Sequence, residues 1–131
     1  MKNKPTESEL EILQVLWKEQ PCTVRDINER INENRTSDNI MGYTTTLKLM
    51  QIMTKKGLLF RTGQGRKHIY TAAIKEKETQ SALLDKFLNR TFGGSAMKLV
   101  MQALGNHKTS QAELEEIKAL IQKIENEDDN E

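Results

Sequence analysis

Apolar residues recur at helical spacing in several stretches of the chain, and polar, glycine or proline positions separate them. The first stripe consists of Leu10, Leu13, Leu16 and Trp17. Thr6, three residues before Glu9, is typical of the capping box that begins a helix. Pro21 follows the stripe and predicts its end. The first predicted element is therefore an amphipathic helix.

Two further helices are predicted before residue 57. Val24, Ile27 and Ile31 follow the capping candidate Thr23 at helical spacing. After a polar loop over residues 32–39, a third helix is predicted from Tyr43 to Lys56, with Gly57 placed to end it. The buried stripe predicted for this third helix consists of Thr46, Leu49, Met50 and Met53.

A hairpin and three more helices follow. Two β-prone segments, Leu58–Thr62 and Arg66–Ala72, flank a short turn that contains Gly63 and Gly65. Helices are then predicted over residues 75–92, over residues 96–104 with Gly105 as the stop, and from a capping box at Ser110 onward. The polar tail from Asn126 is expected to fray.

This order of elements predicts a mainly α fold with a small β-hairpin. Residues 1–74 are predicted to form a winged helix-turn-helix, in which the third helix enters the DNA major groove and the hairpin flanks it. Residues 75–131 are predicted to form a three-helix dimerisation region.

The charge distribution separates the two regions. Residues 40–75 hold seven basic residues and no acid. The seven are Lys48, Lys55, Lys56, Arg61, Arg66, Lys67 and Lys75. Residues 1–75 contain 13 Lys and Arg against 8 Asp and Glu, a net +5, whereas residues 76–131 contain 7 against 11, a net −4. The first region is therefore expected to face a polyanion.

Helical phase and the hairpin divide the acid-free segment into two candidate DNA-binding surfaces. The outward face of the third helix carries Tyr43, Thr44, Thr45, Lys48, Gln51 and Lys55. The wing carries Arg61, Arg66 and Lys67. Small hydroxyls at a helix N-terminus can approach phosphates or base edges. The alternatives are an ordinary amphipathic helix with a threonine-rich first turn and a solvated hairpin whose edge cations prevent aggregation.

The second half has apolar stripes that an isolated unit of about 50 residues would struggle to bury. Pairing with a second copy would cover them, and the alternative is packing against the winged helix of the same chain. The predicted dimer interface consists of Leu83, Leu84, Phe87, Leu88, Leu99, Val100, Leu114, Ile117, Ile121 and Ile124.

Other classes of function find little support in the sequence. Cys22 is the one cysteine, which excludes an intrachain disulfide and a zinc site of four cysteines. His68 and His107 have no partner at a diagnostic catalytic spacing, so no enzyme, metal or cofactor is expected. The N-terminus lacks an apolar signal core, and no apolar run approaches the ~18 residues of a membrane span. We expect a cytoplasmic protein without membrane insertion.

The chain resembles the penicillinase-repressor family of winged-helix proteins, of the BlaI and MecI type with a copper-responsive CopY branch. The resemblance rests on residues 6–17, 43–46, 55–58 and 87–94 and on a wing ending in Tyr70. It implies a dimeric repressor on a palindromic promoter, with Thr44, Thr45 and Lys48 outward on the recognition helix. It also implies a dimer interface after Lys75. This chain has Ile52 where many relatives carry arginine.

The family's β-lactam branch implies relief of repression by a membrane-bound sensor metalloprotease, through a cut at an Asn-Phe bond. The corresponding bond here is Gln102–Ala103, and neither residue matches. The copper branch ends in a cysteine cluster that this chain lacks.

The sequence thus favours a homodimeric DNA-binding repressor. A winged-helix protein–protein module without DNA readout is the alternative, and a small enzyme is the third hypothesis. Loss of salt dependence, or of DNA binding altogether, would distinguish the second from the first.

Overall fold

The structure is a computed structural model that describes residues 4–63 and 67–129. These residues form six α-helices and one antiparallel pair of strands. The helices are α1 Glu7–Glu19, α2 Val24–Glu33, α3 Tyr43–Lys56, α4 Glu76–Thr91, α5 Ala96–Asn106 and α6 Gln111–Asp129. The strands are β1 Leu59–Thr62 and β2 Ile69–Ala72. A single 3₁₀ turn, Ser37–Asn39, lies in the predicted loop between α2 and α3.

Reciprocal hydrogen bonds begin the first two helices, as the sequence predicts. The Thr6 hydroxyl accepts from the backbone N–H of Glu9 at 3.2 Å, and the Glu9 carboxylate accepts from the backbone N–H of Thr6 at 2.9 Å. Thr23 and Asp26 make the same pair of bonds at the start of α2. Each cap satisfies helix N–H groups that would otherwise lack partners.

The core of the first region lies where α1, α2, α3 and the hairpin meet. Its buried side chains are Ile12, Leu13, Leu16, Cys22, Val24, Ile27, Ile31, Met41, Met50, Met53, Leu58, Leu59 and Tyr70. Burying one such large apolar side chain contributes roughly 1.5–3 kcal/mol. This core therefore holds the outward faces of α3 and the hairpin in a defined arrangement.

Gly57 ends α3 as predicted, with φ at +85°. The backbone N–H of Leu58 donates to the carbonyl of Met53 at 2.9 Å, which closes the helix end. That bond places Leu58 in the helix cap rather than in the first strand.

Both predicted strands are longer than those observed. In the hairpin, Phe60 pairs with Thr71 and Arg61 with Tyr70. Lys67 and His68 precede β2 and lie outside the strand, because the ladder ends at the Thr62 and Ile69 pair. Arg66 and the two residues before it lie outside the described residues.

Cys22 forms an isolated β-bridge with Tyr70, on the edge of β2 that does not pair with β1. Its backbone N–H donates to the carbonyl of Tyr70 at 3.1 Å, and the N–H of Tyr70 donates to the carbonyl of Cys22 at 2.8 Å. The link between α1 and α2 thereby anchors the base of the wing, a contact that the sequence analysis missed.

The chain divides into two compact units, Met1–Leu83 and Leu84–Glu131. The first unit includes the start of α4, beyond the boundary predicted after residue 74. Trp17 Nε1 donates to the carbonyl of Ile74 at 3.0 Å, and Thr79 is buried. Trp17 thus joins α1 to the segment just before α4, and Thr79 is the buried residue of α4.

In the second unit, Phe87 and Phe92 pack edge to face with ring centroids 5.7 Å apart. One prediction for this unit is wrong. α5 continues through Gly105 to Asn106, since a single glycine costs a helix only about 1 kcal/mol. α6 extends to Asp129, and the last two residues of the tail predicted to fray lie outside the described residues. None of the described helices is long and apolar enough to cross a membrane.

Candidate nucleic-acid interface

The third helix presents the outward face that its spacing predicts. Thr46, Met50 and Met53 are fully buried, and Leu49 is half-buried. The opposite sides are exposed and carry Tyr43, Thr44, Thr45, Lys48, Gln51 and Lys55. Ile52 is also exposed. The helical phase separates core from surface as predicted, so the candidate DNA-binding side chains of this helix are accessible together.

No side chain caps the N-terminal end of α3. Gly42 occupies the cap position and supplies no side-chain hydrogen bond, and the first turn contains no acid. The backbone N–H groups of a helix's first turn lack partners within the helix and carry partial positive charge. Exposed Thr44 and Thr45 stand beside these groups, so this end of α3 is suited to an anion.

Two asparagines of α2 hold the start of α3. Asn28 Nδ2 donates to the carbonyl of Met41 and to the hydroxyl of Thr46, both at 2.9 Å. Asn32 Nδ2 donates to the same carbonyl at 2.9 Å, and its Oδ1 accepts from the N–H of Met41 at 2.9 Å. These bonds fix the turn between the two helices.

Sequence reasoning missed these positioning residues. The available signal was their spacing, since Asn28 and Asn32 lie four residues apart on α2, beside the buried stripe.

The wing places Arg61 and Lys67 at the surface, and His68 beside Lys67 is also exposed. Gly63 is required at the turn, because a Cβ there would lie 2.1 Å from the carbonyl oxygen of Lys67. Its φ of +150° also disfavours any other residue. The predicted wing contact Arg66 lies outside the described residues.

Two cations of the acid-free segment have different surroundings. Lys56 Nζ lies 2.8 and 2.9 Å from the carboxylate oxygens of Glu9, which is buried. Burial alone would raise the pKa of Glu9. The hydrogen bonds from Lys56 and the backbone of Thr6, together with the charge of Lys56, outweigh it and lower that pKa. Lys75 is exposed just before α4, and its carbonyl accepts from the Thr79 hydroxyl at 2.7 Å.

The predicted dimer-interface residues all keep solvent exposure. The more exposed ones are Leu84, Phe87, Val100, Ile121 and Ile124, at 47–51%. The half-buried ones are Leu83, Leu88, Leu99, Leu114 and Ile117. Neither α5 nor α6 contains a buried residue. The predicted interface residues on α5 and α6 are therefore all accessible to solvent.

Gln102 and Ala103, the predicted cleavage positions, are exposed within α5. They border a cleft that also contains Phe87, Phe92 and Leu99.

Cys22 is buried, and its thiol donates to the carbonyl of Glu19 at 3.4 Å. Burial, with smaller contributions from the charges of Asp26 and Glu19, raises the pKa of this thiol. A buried thiol with a raised pKa is a packing residue rather than a nucleophile. Among the described residues, no group of three or more His, Cys, Asp or Glu is placed to hold a metal ion.

The chain is similar to known proteins over most of its length. The family described as penicillinase repressor matches residues 5–123. A penicillinase repressor of Bacillus licheniformis is 27% identical over 92% of this chain and 91% of that protein. The methicillin resistance regulatory protein MecI of Mammaliicoccus sciuri is 24% identical over 94% of this chain and 99% of that protein. A solved DNA-binding domain of the repressor BlaI gives a TM-score of 0.48 at 25% identity, covering 60% of this chain and 93% of that domain.

Proposed function

The chain belongs to the penicillinase repressor family, and from this premise we propose that it is a sequence-specific repressor that binds a palindromic operator as a homodimer. The family consists of transcriptional repressors rather than enzymes. The observation that carries the proposal is the exposed, acid-free face of α3, with its open N-terminus and with Thr44, Thr45 and Lys48 side by side.

Two groups of side chains have different roles in this proposal. Thr44, Thr45 and Lys48 read base edges in the major groove, where a lysine can recognise a guanine edge. Gln51 and Lys55 on the helix, with Arg61 and Lys67 on the wing, contact the backbone and fix the register of the protein on the duplex. Affinity should then fall steeply with salt, because each neutralised phosphate releases counterions.

Titration of labelled DNA from the promoter of the protein's own gene tests the readout. Lys48→Ala should weaken binding roughly tenfold or more at near-physiological salt, in line with the ~1–3 kcal/mol of a base contact. Lys18→Ala, which removes an exposed lysine from the end of α1, is the matched control and should bind like wild type. Equal affinity of Lys48→Ala and wild type would contradict the assignment. Salt-independent binding, or no binding to DNA, would favour a protein–protein module.

The homodimer is supported by the exposed apolar side chains of the second unit. Phe87, Val100 and Ile121 are each about half exposed, at 48–51%. A palindromic operator has a twofold axis, and a homodimer can share that axis with the DNA. We therefore infer that a second copy of the chain covers these side chains. Sedimentation equilibrium tests this, and a monomer at micromolar concentration would contradict it.

We further propose a cytoplasmic location and relief of repression by a membrane-bound sensor metalloprotease. The candidate bond, Gln102–Ala103, is exposed within α5, which has no buried residue to resist local unwinding. Incubation with the cognate activated sensor, followed by mass spectrometry, should find a cut at this bond. Failure to find one between Met101 and Leu104 would exclude this route.

A further inference from the structure

A cleft of about 510 Å³ opens between the two proposed DNA-binding surfaces of the first unit. The first turn of α2, the N-terminal half of α3 and the residues leading into β2 surround it. Its principal lining residues are Arg25, Tyr43, Leu47, Lys67, His68 and Tyr70. The cleft therefore adjoins both the recognition helix and the wing.

The cleft has an apolar floor and a cationic rim. Val24 and Tyr70 are buried beneath it, whereas Arg25 and Lys67 are exposed at its edge. Asp26 also lines the cleft, but its carboxylate accepts the N–H of Thr23 at 2.9 Å as part of the helix cap. Arg25 has no ion-pair partner within residues 4–63 and 67–129. Two basic side chains against one carboxylate leave the rim suited to an anion.

We propose that Arg25 binds a backbone phosphate of the operator strand that passes between the groove-reading helix and the wing. The guanidinium presents two parallel N–H donors that match phosphate oxygens, and Lys67 and Tyr43 border the same cleft. This inference rests on the proposed function, because it assumes that α3 and the wing face one duplex. Arg25 lies outside the acid-free segment and next to Asp26, so the charge pattern of the sequence does not reveal it.

A phosphate contact predicts a specific signature. Arg25→Ala should weaken binding about three- to tenfold for each bound protomer, on the order of one net hydrogen bond. The loss should be equal on the promoter duplex and on a random-sequence duplex of the same length, because a phosphate carries no sequence information. The negative slope of log affinity against log salt should become shallower by about 0.9 for each bound protomer.

Arg30→Ala is the matched control, because Arg30 lies on the same helix but outside the cleft, where it pairs with Glu19 and Glu33. Compared with Arg25→Ala, Arg25→Lys should restore the salt slope and part of the affinity. Lysine keeps the positive charge but lacks the two parallel N–H donors of the guanidinium. Circular dichroism melts of all variants establish that the fold is retained.

The outcomes separate this inference from the proposed function. If the wild-type protein binds neither duplex, the repressor proposal itself fails. If wild type binds with a steep salt slope and Lys48→Ala loses affinity, but Arg25→Ala matches Arg30→Ala, only the phosphate contact is overturned. A loss confined to the promoter duplex would also overturn it, because Arg25 would then read sequence.

Discussion

Lys56 Nζ lies 2.8 Å from one carboxylate oxygen of Glu9 and 2.9 Å from the other, although 47 residues separate the two in sequence. Glu9 is 2% exposed, whereas the neighbouring Lys55 is exposed to solvent. Two consecutive lysines of the acid-free segment therefore have different tasks. One joins α3 to α1, and the other lies on the face that we propose meets DNA.

Substitution of these two lysines should separate stability from DNA affinity. Lys56→Ala should cost about 2 kcal/mol of unfolding free energy, because it leaves a buried carboxylate without its cation. The cost is below the ~3–5 kcal/mol of a fully buried pair, since the Lys56 side chain is 32% exposed. Lys55→Ala should change stability by less than about 0.5 kcal/mol while weakening DNA binding. Urea unfolding followed by the fluorescence of Trp17, together with a DNA titration, measures both. Equal stability of the two variants would show that the ion pair contributes nothing.

The Glu9 carboxylate should make stability fall in acid. Because its pKa in the folded state lies below the unfolded value, it stabilises the fold above the unfolded pKa, and this contribution is lost as pH falls through the folded-state value. Glu9→Gln should be less stable than wild type at pH 7 but lose less stability on acidification. An amide oxygen can still accept the N–H of Thr6, so the cap is retained.

Unfolding free energies between pH 7 and pH 3 measure this difference. Glu29→Gln, at an exposed position of α2, is the control and should keep the wild-type acid dependence. Parallel pH profiles for Glu9→Gln and wild type would refute the role of the pair.

Asn28 should affect DNA binding through the position of α3. Asn28→Ala removes two hydrogen bonds of 2.9 Å and should cost about 1–2 kcal/mol of stability. Operator affinity should fall while the salt slope stays unchanged, since no phosphate contact is lost. Asn34→Ala, an exposed position just after α2, is the control. A reduced salt slope for Asn28→Ala would instead indicate a direct phosphate contact.

A charge within the apolar stripe of α6 should disrupt the proposed dimer. Ile121→Glu should shift the protein to monomer, because an unpaired carboxylate would be buried at the interface. Gln122→Glu adds the same charge at the next, exposed position and should leave the assembly intact. Sedimentation equilibrium with both variants tests the surface, and an unchanged dimer in Ile121→Glu would exclude this helix face.

Much of the fold follows from local pattern. Helical spacing identified the buried side of α3, and Thr6, Thr23 and Gly57 marked helix ends that the structure confirms. Errors arose where local signals were weak. Gly105 does not stop α5, because one glycine is a small cost to a helix. The predicted strands were too long, because ladder pairing and the cap at Leu58 set their ends rather than residue preference.

The sequence by itself therefore determined the helices, the hairpin and the outward face of α3, because periodicity and capping act over a few residues. Only the tertiary structure decided which charges and polar groups meet. It joined Lys56 to Glu9, joined Asn28 and Asn32 to the turn before α3, and placed Arg25 and Lys67 on one cleft. These relationships connect residues distant in the chain, and no local spacing encodes them. Among the described members of the basic run, Lys56 pairs with a buried carboxylate, whereas Lys48, Lys55, Arg61, Lys67 and Lys75 lie at the surface.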